Sequence, residues 1–308
     1  MFGICALLIH TAGCDKGRQT GKMAMTTGES GNSFTLAMVQ MRVEGGRPDL
    51  NMDRAILRIG EAAAAGADIA LLPEAMDLGW THHSALEFAE PIPAGGRFNR
   101  LCRAARENSI FLCVGLIEKS GDRIYNSAVL IDDNGRLLLL HRKLNELDIA
   151  HHLYAQGDRL SVAHTRLGTI GVHICADANA VDHVLTRSLG YMGADIVLSP
   201  SSWAVPPDHD NELDPYGDTW RRAYMPAARD FGMWIVGVSN VGRVESGAWQ
   251  GWKCIGASLI IDAQGREVLQ GPYGEGADTL ILQKVVLSPR PARGTGWDGE
   301  FQRRAGTD

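Results

Sequence analysis

"GTIGVHICADANAVDH", residues 168–183, decides how the rest of this chain is read. Its first half has the β-branched, apolar make-up of a buried strand, and it delivers Cys175 into a segment with helical spacing over 181–191. A thiol at a strand-to-helix elbow sits near helix N-terminal amides, which favour the thiolate and can bind an oxyanion. Taken alone, a free cysteine reads as a small buried hydrophobe. Its company argues otherwise. In "ADIALLPEAMDLGW" (67–80) an apolar strand runs through Pro73 to Glu74, and in "GRLLLLHRKLNELDIAHH" (135–152) another runs to Lys143. Three strands thus end in a carboxylate, an ammonium and a thiol, and ligands of α/β sheets collect at that edge.

The pattern around these segments alternates. Strands are expected in "FTLAMVQMRV", "ADIALL", "IFLCVGLIE", "IYNSAVLID", "LLLLHRK", "TIGVHIC", "DIVLSP" and "MWIVGVSNV", with helices over 51–65, 97–108, 181–191 and 216–231. Two hairpins turn at Asp133-Asn134-Gly135 and at 263–265, where αL-tolerant residues allow a tight reversal. Helices between strands imply an α/β fold with a mixed sheet covered on its outer face.

In that order and with those neighbours, Glu74, Lys143 and Cys175 resemble the nitrilase superfamily of carbon–nitrogen hydrolases. The likeness runs through "LAMVQMRV", "LLPEA", "HRKL", the Cys175 segment, "GADIVLSPSSW", "VGVSNVG" and "GASLIIDAQGREV". It implies a four-layer α-β-β-α sandwich over 34–287, with Glu74 as general base, Lys143 as the oxyanion-stabilising cation and Cys175 as nucleophile. It also implies a homo-oligomer. The chain departs from the family in two places. A second glutamate is common some eight residues before the Asp of "GD", and here that count from Asp158 reaches Ala150, leaving Glu146 and Asp148 as substitutes. After Cys175 the run "ADANAVDH" keeps an acid, Asp177, but lacks the arginine of many amidase branches.

A thiolate attacking a carbonyl or nitrile carbon needs a base for its proton and donors for the oxyanion. Glu74 serves the first need. Lys143 and backbone N–H groups after Cys175, that of Ala176 among them, serve the second. No metal or organic cofactor is required. The expected reaction is cleavage of a non-peptide C–N bond in a linear amide or N-carbamoyl compound through a thioester, releasing ammonia or amine. A nitrilase, transfer of the acyl group to an amine, and a non-catalytic binding protein that keeps the fold are the alternatives, the last motivated by Ala150. Trp80, Trp203 and Trp220 are candidate pocket walls. His151 and His152 are open between substrate contact and helix face, and "PPDHDNELD" (206–214), with His209 between two aspartates, reads as a solvated loop rather than a metal site.

Composition narrows the partners. The chain has 308 residues, 45% hydrophobic and 21% charged, as in an ordinary globular protein. A net charge of −6 with both signs interspersed leaves no basic footprint for nucleic acid. The partner expected is a small amide, carbamoyl or nitrile substrate. The six cysteines lack zinc-site spacing and are sparse for a disulfide scaffold, so a reducing, cytoplasmic setting is expected, with Cys102, Cys113 and Cys254 as packing residues. Residues 1–33 read as a disordered extension or signal-like segment; "TAGC" ending at Cys14 gives the alternative of a lipid anchor, and Met23 or Met25 the alternative of a later start. Residues 288–308 read as a tail.

Overall fold

The structure, a computed structural model, describes residues 32–289 and 303–306. The expected extension with its Cys14 lies outside these residues but for Asn32 and Ser33, and so does most of the expected tail. The first half of the chain builds β1 (Ser33–Gln40), α1 (Pro48–Ala64), β2 (Ile69–Leu71), α2 (Ala85–Phe88), α3 (Gly96–Asn108), β3 (Phe111–Ser120), β4 (Arg123–Ile131) and β5 (Leu137–Arg142). The second builds β6 (Val162–Thr165), β7 (Gly168–Val172), α4 (Val184–Tyr191), β8 (Ile196–Ser201), β9 (Ala204–Val205), α5 (Asp218–Phe231), β10 (Trp234–Ser239), β11 (Val241–Arg243), β12 (Lys253–Ile255), β13 (Leu259–Ile261), β14 (Glu267–Gln270) and β15 (Thr279–Val286).

Two six-stranded sheets result, ordered β15-β1-β2-β3-β4-β5 and β14-β13-β10-β8-β7-β6. In each, three central strands run parallel through helical crossovers and the flanking pairs are antiparallel. The period-two alternation of strand side chains sorts the layers. Leu36, Met38, Ile69 and Leu71 share one apolar cluster with Ile170, Val172, Ile196 and Val236 of the other sheet. Ala37, Val39, Ala70 and Leu72 face the opposite way, onto Met52, Ala55 and Ile59 of α1 and Phe98 and Leu101 of α3. Helices α4 and α5 cover the second sheet through Leu189, Ala223, Ala227 and Phe231. This is the four-layer α-β-β-α sandwich. Strands buried on both faces need not alternate, which is why their sequences read as continuous apolar runs.

Three details differ from the sequence reading. The helix expected over 181–191 begins only at Val184, because Asp182 and His183 take left-handed φ values of 55° and 54° and break the turn before it. The strand expected as "MWIVGVSNV" divides at Asn240 into β10 and β11, and β11 joins β12 and β9 in a separate three-stranded sheet. The last strand, β15, follows the Gly-rich turn 271–278 and is not among the expected strands; it pairs antiparallel with β1, from Ser33 opposite Val286 to Gln40 opposite Thr279, and so ties the end of the fold to its beginning.

Candidate active site

Glu74 follows β2 at a point where the chain lies directly on β3. Gly115 makes this possible: its N–H donates to the Pro73 carbonyl at 3.0 Å and its own carbonyl accepts from Met76 N–H at 3.0 Å. A Cβ on Gly115 would fall 2.5 Å from Glu74 Cα. From the other side, Glu74 N–H donates to the Ser201 carbonyl at 3.2 Å, stitching this loop to the end of β8. The carboxylate is buried between the sheets.

Lys143 leaves the end of β5 and is also buried. Its ammonium donates to Glu74 Oε1 at 2.7 Å and to Glu146 Oε1 at 3.0 Å. Asn126 of β4 spans the same two carboxylates, with its Nδ2 donating to Glu74 Oε1 at 2.6 Å and to Glu146 Oε2 at 3.0 Å. Glu146 therefore stands beside the lysine, in an irregular stretch between β5 and the next turn. Its rival, Asp148, is fully exposed in the short 3-10 turn Asp148–Ala150 and meets only His151 at 3.9 Å. Ala150 itself packs in an apolar cluster with Trp80, Leu153 and Tyr154.

Cys175 caps β7 with a left-handed φ of 45° and opens a 3-10 turn, Cys175–Asn179, instead of an α-helix. Non-glycine residues rarely adopt such a backbone, and strain of this kind gathers at functional sites. Cys175 N–H is held by Ser199 Oγ at 3.2 Å. The expectation of a helix-stabilised thiolate is corrected here. Burial and the adjacent Glu74 charge push the thiol well above the usual cysteine range, against the pull of Lys143 and the Ser202 backbone N–H. A one-turn 3-10 segment supplies too small a dipole to reverse that. The thiol is therefore protonated at rest.

The carboxylate next to it is raised too. Burial lifts Glu74 above the usual glutamate range, opposed by the Lys143 charge, while Glu146 adds to the rise. Its Oε2 is buried without a hydrogen-bond partner. An oxygen in that state is equipped to take a proton. Burial works against the Lys143 ammonium, yet the Glu146 and Glu74 charges outweigh it and hold the lysine well above its usual range, hence charged.

Asp177 links these pieces. Its buried carboxylate accepts from His141 Nε2 at 2.7 Å, from Ile174 N–H at 2.9 Å, and from the N–H groups of Leu144 and Asn145 at 3.0 and 2.7 Å. One side chain thus binds the cysteine turn to the loop that carries Lys143 and Glu146. Asn145 Nδ2 returns a bond to the Ala176 carbonyl at 2.6 Å.

A cavity of about 380 Å³ opens over the three residues, walled by Trp80, Trp203, Trp220 and Trp249 with Leu147 and Tyr216. Trp203 and Trp220 stack at 4.6 Å, and Trp80 meets Trp249 edge-on at 5.0 Å. Of the residues singled out in sequence, Glu74, Lys143, Glu146, Cys175, Ala176, Trp80, Trp203 and Trp220 come together here, with Asp177 just beneath. His151 lies at the rim of this loop, its Nε2 3.1 Å from the Glu146 carbonyl and its Nδ1 3.9 Å from Asp148. His209 lies in its loop 4.0 Å from Asp214, and no cluster of metal-ligating side chains occurs among the described residues. Sequence reasoning missed Asn126, His141, Ser199 and Ser202. The available signal was a polar Asn126-Ser127 pair in the middle of an apolar strand, where only a satisfied buried group is tolerated.

A family model for carbon–nitrogen hydrolase matches residues 35–288. Among curated proteins, a nitrilase from Pyrococcus abyssi is 30% identical over 230 residues, covering 73% of this chain and 80% of its own. An omega-amidase from Mus musculus is 26% identical over 268 residues, 83% of this chain and 90% of its own. Among solved structures, a carbon–nitrogen hydrolase from Helicobacter pylori G27 superposes with a TM-score of 0.74 at 17% identity, covering 90% of this chain and 94% of that one.

Proposed function

The chain belongs to the carbon–nitrogen hydrolase family and is a hydrolase of non-peptide C–N bonds; we propose that it cleaves a linear amide or N-carbamoyl compound through a thioester on Cys175. One observation carries this reading: the Cys175 thiol, a carboxylate oxygen of Glu74 without a hydrogen-bond partner and the buried Lys143 ammonium meet at one cavity.

The steps follow from those protonation states. Glu74 Oε2 takes the thiol proton as Sγ attacks the carbonyl carbon, so the thiolate exists only as the bond forms. The oxyanion accepts from Lys143 Nζ and from the Ala176 N–H, donors already held in place and shielded from water. Glu74 then returns the proton to the leaving nitrogen. The C–N bond breaks, ammonia or amine departs, and an acyl thioester remains. Water entering the vacated space loses a proton to Glu74 and attacks the thioester, and the carboxylic acid leaves as the thiol is re-protonated. Glu146 and Asn126 keep Lys143 and Glu74 in register through both halves. The case for a non-catalytic binding protein rested on Ala150; a second carboxylate does stand at Lys143, which removes that motive.

Incubation with amides, N-carbamoyl amines and nitriles, read by released ammonia and by intact-protein mass, tests the proposal. An acyl mass on Cys175 and loss of turnover in both Cys175→Ala and Cys175→Ser are expected, with folding retained because only one small side chain changes. Substantial turnover by purified Cys175→Ala overturns it.

A further inference from the structure

The cavity over Cys175 carries a statement about its substrate. Four of the seven tryptophans of the chain line it, and its only charged lining residues among those described are Glu74 and Lys143. Lys143 is already bound by two carboxylates, so the trio with Glu146 has a charge of zero or below in either protonation state of Glu74. The polar groups that remain are neutral. The Tyr216 hydroxyl, which accepts from Trp220 Nε1 at 3.1 Å, is pushed by burial well above the usual tyrosine range. Asn145 directs one amide N–H to the Ala176 carbonyl.

From this we infer that the acyl group accepted here is uncharged and apolar, of about the size of one aromatic ring with a short linker. The inference rests on the hydrolase reading above and narrows its substrate class. A carboxylate-bearing amide would be desolvated beside an acidic trio with no free cation, and such burial is costly unless the charge is paired. An ammonium-bearing amide fares little better, since Glu146 is fully engaged and the one free carboxylate oxygen, Glu74 Oε2, is the one that must take the thiol proton, while the indole faces alone replace little of the ammonium's hydration. An aryl or branched alkyl group loses nothing polar and gains the stacked walls. The volume stands near the lower end of ligand pockets, which run from about 300 to 1,000 Å³.

Three amides of similar length separate the cases: 3-phenylpropionamide, the monoamide of succinic acid, and 6-aminohexanamide. Binding is read by tryptophan fluorescence in Cys175→Ala and turnover by ammonia release in the unmodified protein. We expect saturable quenching by the phenyl compound and a kcat/KM for it at least about 100-fold above the other two. A preference for the succinic monoamide or the amine overturns the inference and leaves the hydrolase reading intact. Binding of the phenyl amide to Cys175→Ala with no turnover of any compound supports the inference and sinks the proposed cleavage of linear amides. Absence of both binding and turnover for the phenyl amide overturns the inference. Thr219, exposed on the cavity rim, gives a converse test: Thr219→Arg supplies the missing cation and should raise kcat/KM for the succinic monoamide at least about tenfold. An unchanged preference in that variant overturns the electrostatic argument.

Discussion

At the scale of single residues, the site depends on two carboxylates sharing one ammonium. Glu74 is left with a free oxygen, whereas Glu146 uses both of its own, on Lys143 with Leu147 N–H and on Asn126. The two acids therefore differ in what they can do: one can accept a proton and the other holds position. Replacing Glu146 by Gln keeps its shape but removes a charge that helps keep Lys143 protonated. Glu146→Gln should lower kcat by about 10- to 100-fold through a misplaced or less cationic Lys143. Asp148→Asn, at a solvated surface position, should leave kcat unchanged. Single-turnover acylation and deacylation rates in the two variants check this, and equal effects would refute the assignment.

At the scale of elements, the legible and the hidden parts divide by how local their cause is. The strand ends that carry Glu74, Lys143 and Cys175 were visible because an apolar run stopping at a polar group is a local pattern. The clamp from Asp177 to His141 was not, since the two lie 36 residues apart and meet only when β5 and the turn after β7 are packed together. Nor was the helix break at Asp182 and His183, where residues with no glycine signal adopt left-handed φ values. Gly115 is a third case: nothing in "IFLCVGLIE" says that a loop will lie on it. Its test is direct. The added methyl of Gly115→Ala would meet the backbone of the overlying loop, Glu74 Cα at 2.5 Å and the Pro73 carbonyl oxygen at 2.6 Å, so the Glu74 loop must move. We expect a loss of kcat of about 100-fold from displacement of the general base, together with about 1–3 kcal/mol of destabilisation from overpacking. Gly60→Ala, in α1 where the nearest atom is 3.8 Å away, should instead stabilise by about 1 kcal/mol through helix propensity and leave kcat untouched. Urea melts and steady-state kinetics on both variants separate the effects.

At the scale of the whole molecule, burying a polar site between two sheets makes stability depend on pH, and His173 carries much of that dependence. It lies just past the end of β7, two residues before Cys175, fully buried and with neither ring nitrogen hydrogen-bonded to another side chain. Burial pushes its pKa down to about 4; the Asp177 charge opposes this and His141 reinforces it. The unfolded chain, with an ordinary histidine, takes up a proton first as pH falls from near 6.5, so the folded state loses stability from there down to about 4. Near pH 5 the loss is about 2 kcal/mol, at about 1.4 kcal/mol per pH unit. Asp77 acts in the opposite sense. Burial raises it to about 6 against the pull of Arg97, so the folded state binds its proton first and gains as pH falls through that value. In the unmodified protein these two slopes are superposed on those of Glu74 and Asp177, which are shifted as well, so a variant is needed to expose either one. His173→Leu removes the first and keeps the second. Urea unfolding at pH 7 and pH 5 should find the variant gaining about 2 kcal/mol relative to the unmodified protein on acidification, whatever its stability at pH 7. Parallel pH dependences in the two proteins would mean that burial does not depress the His173 pKa in the folded state, which would overturn the assignment.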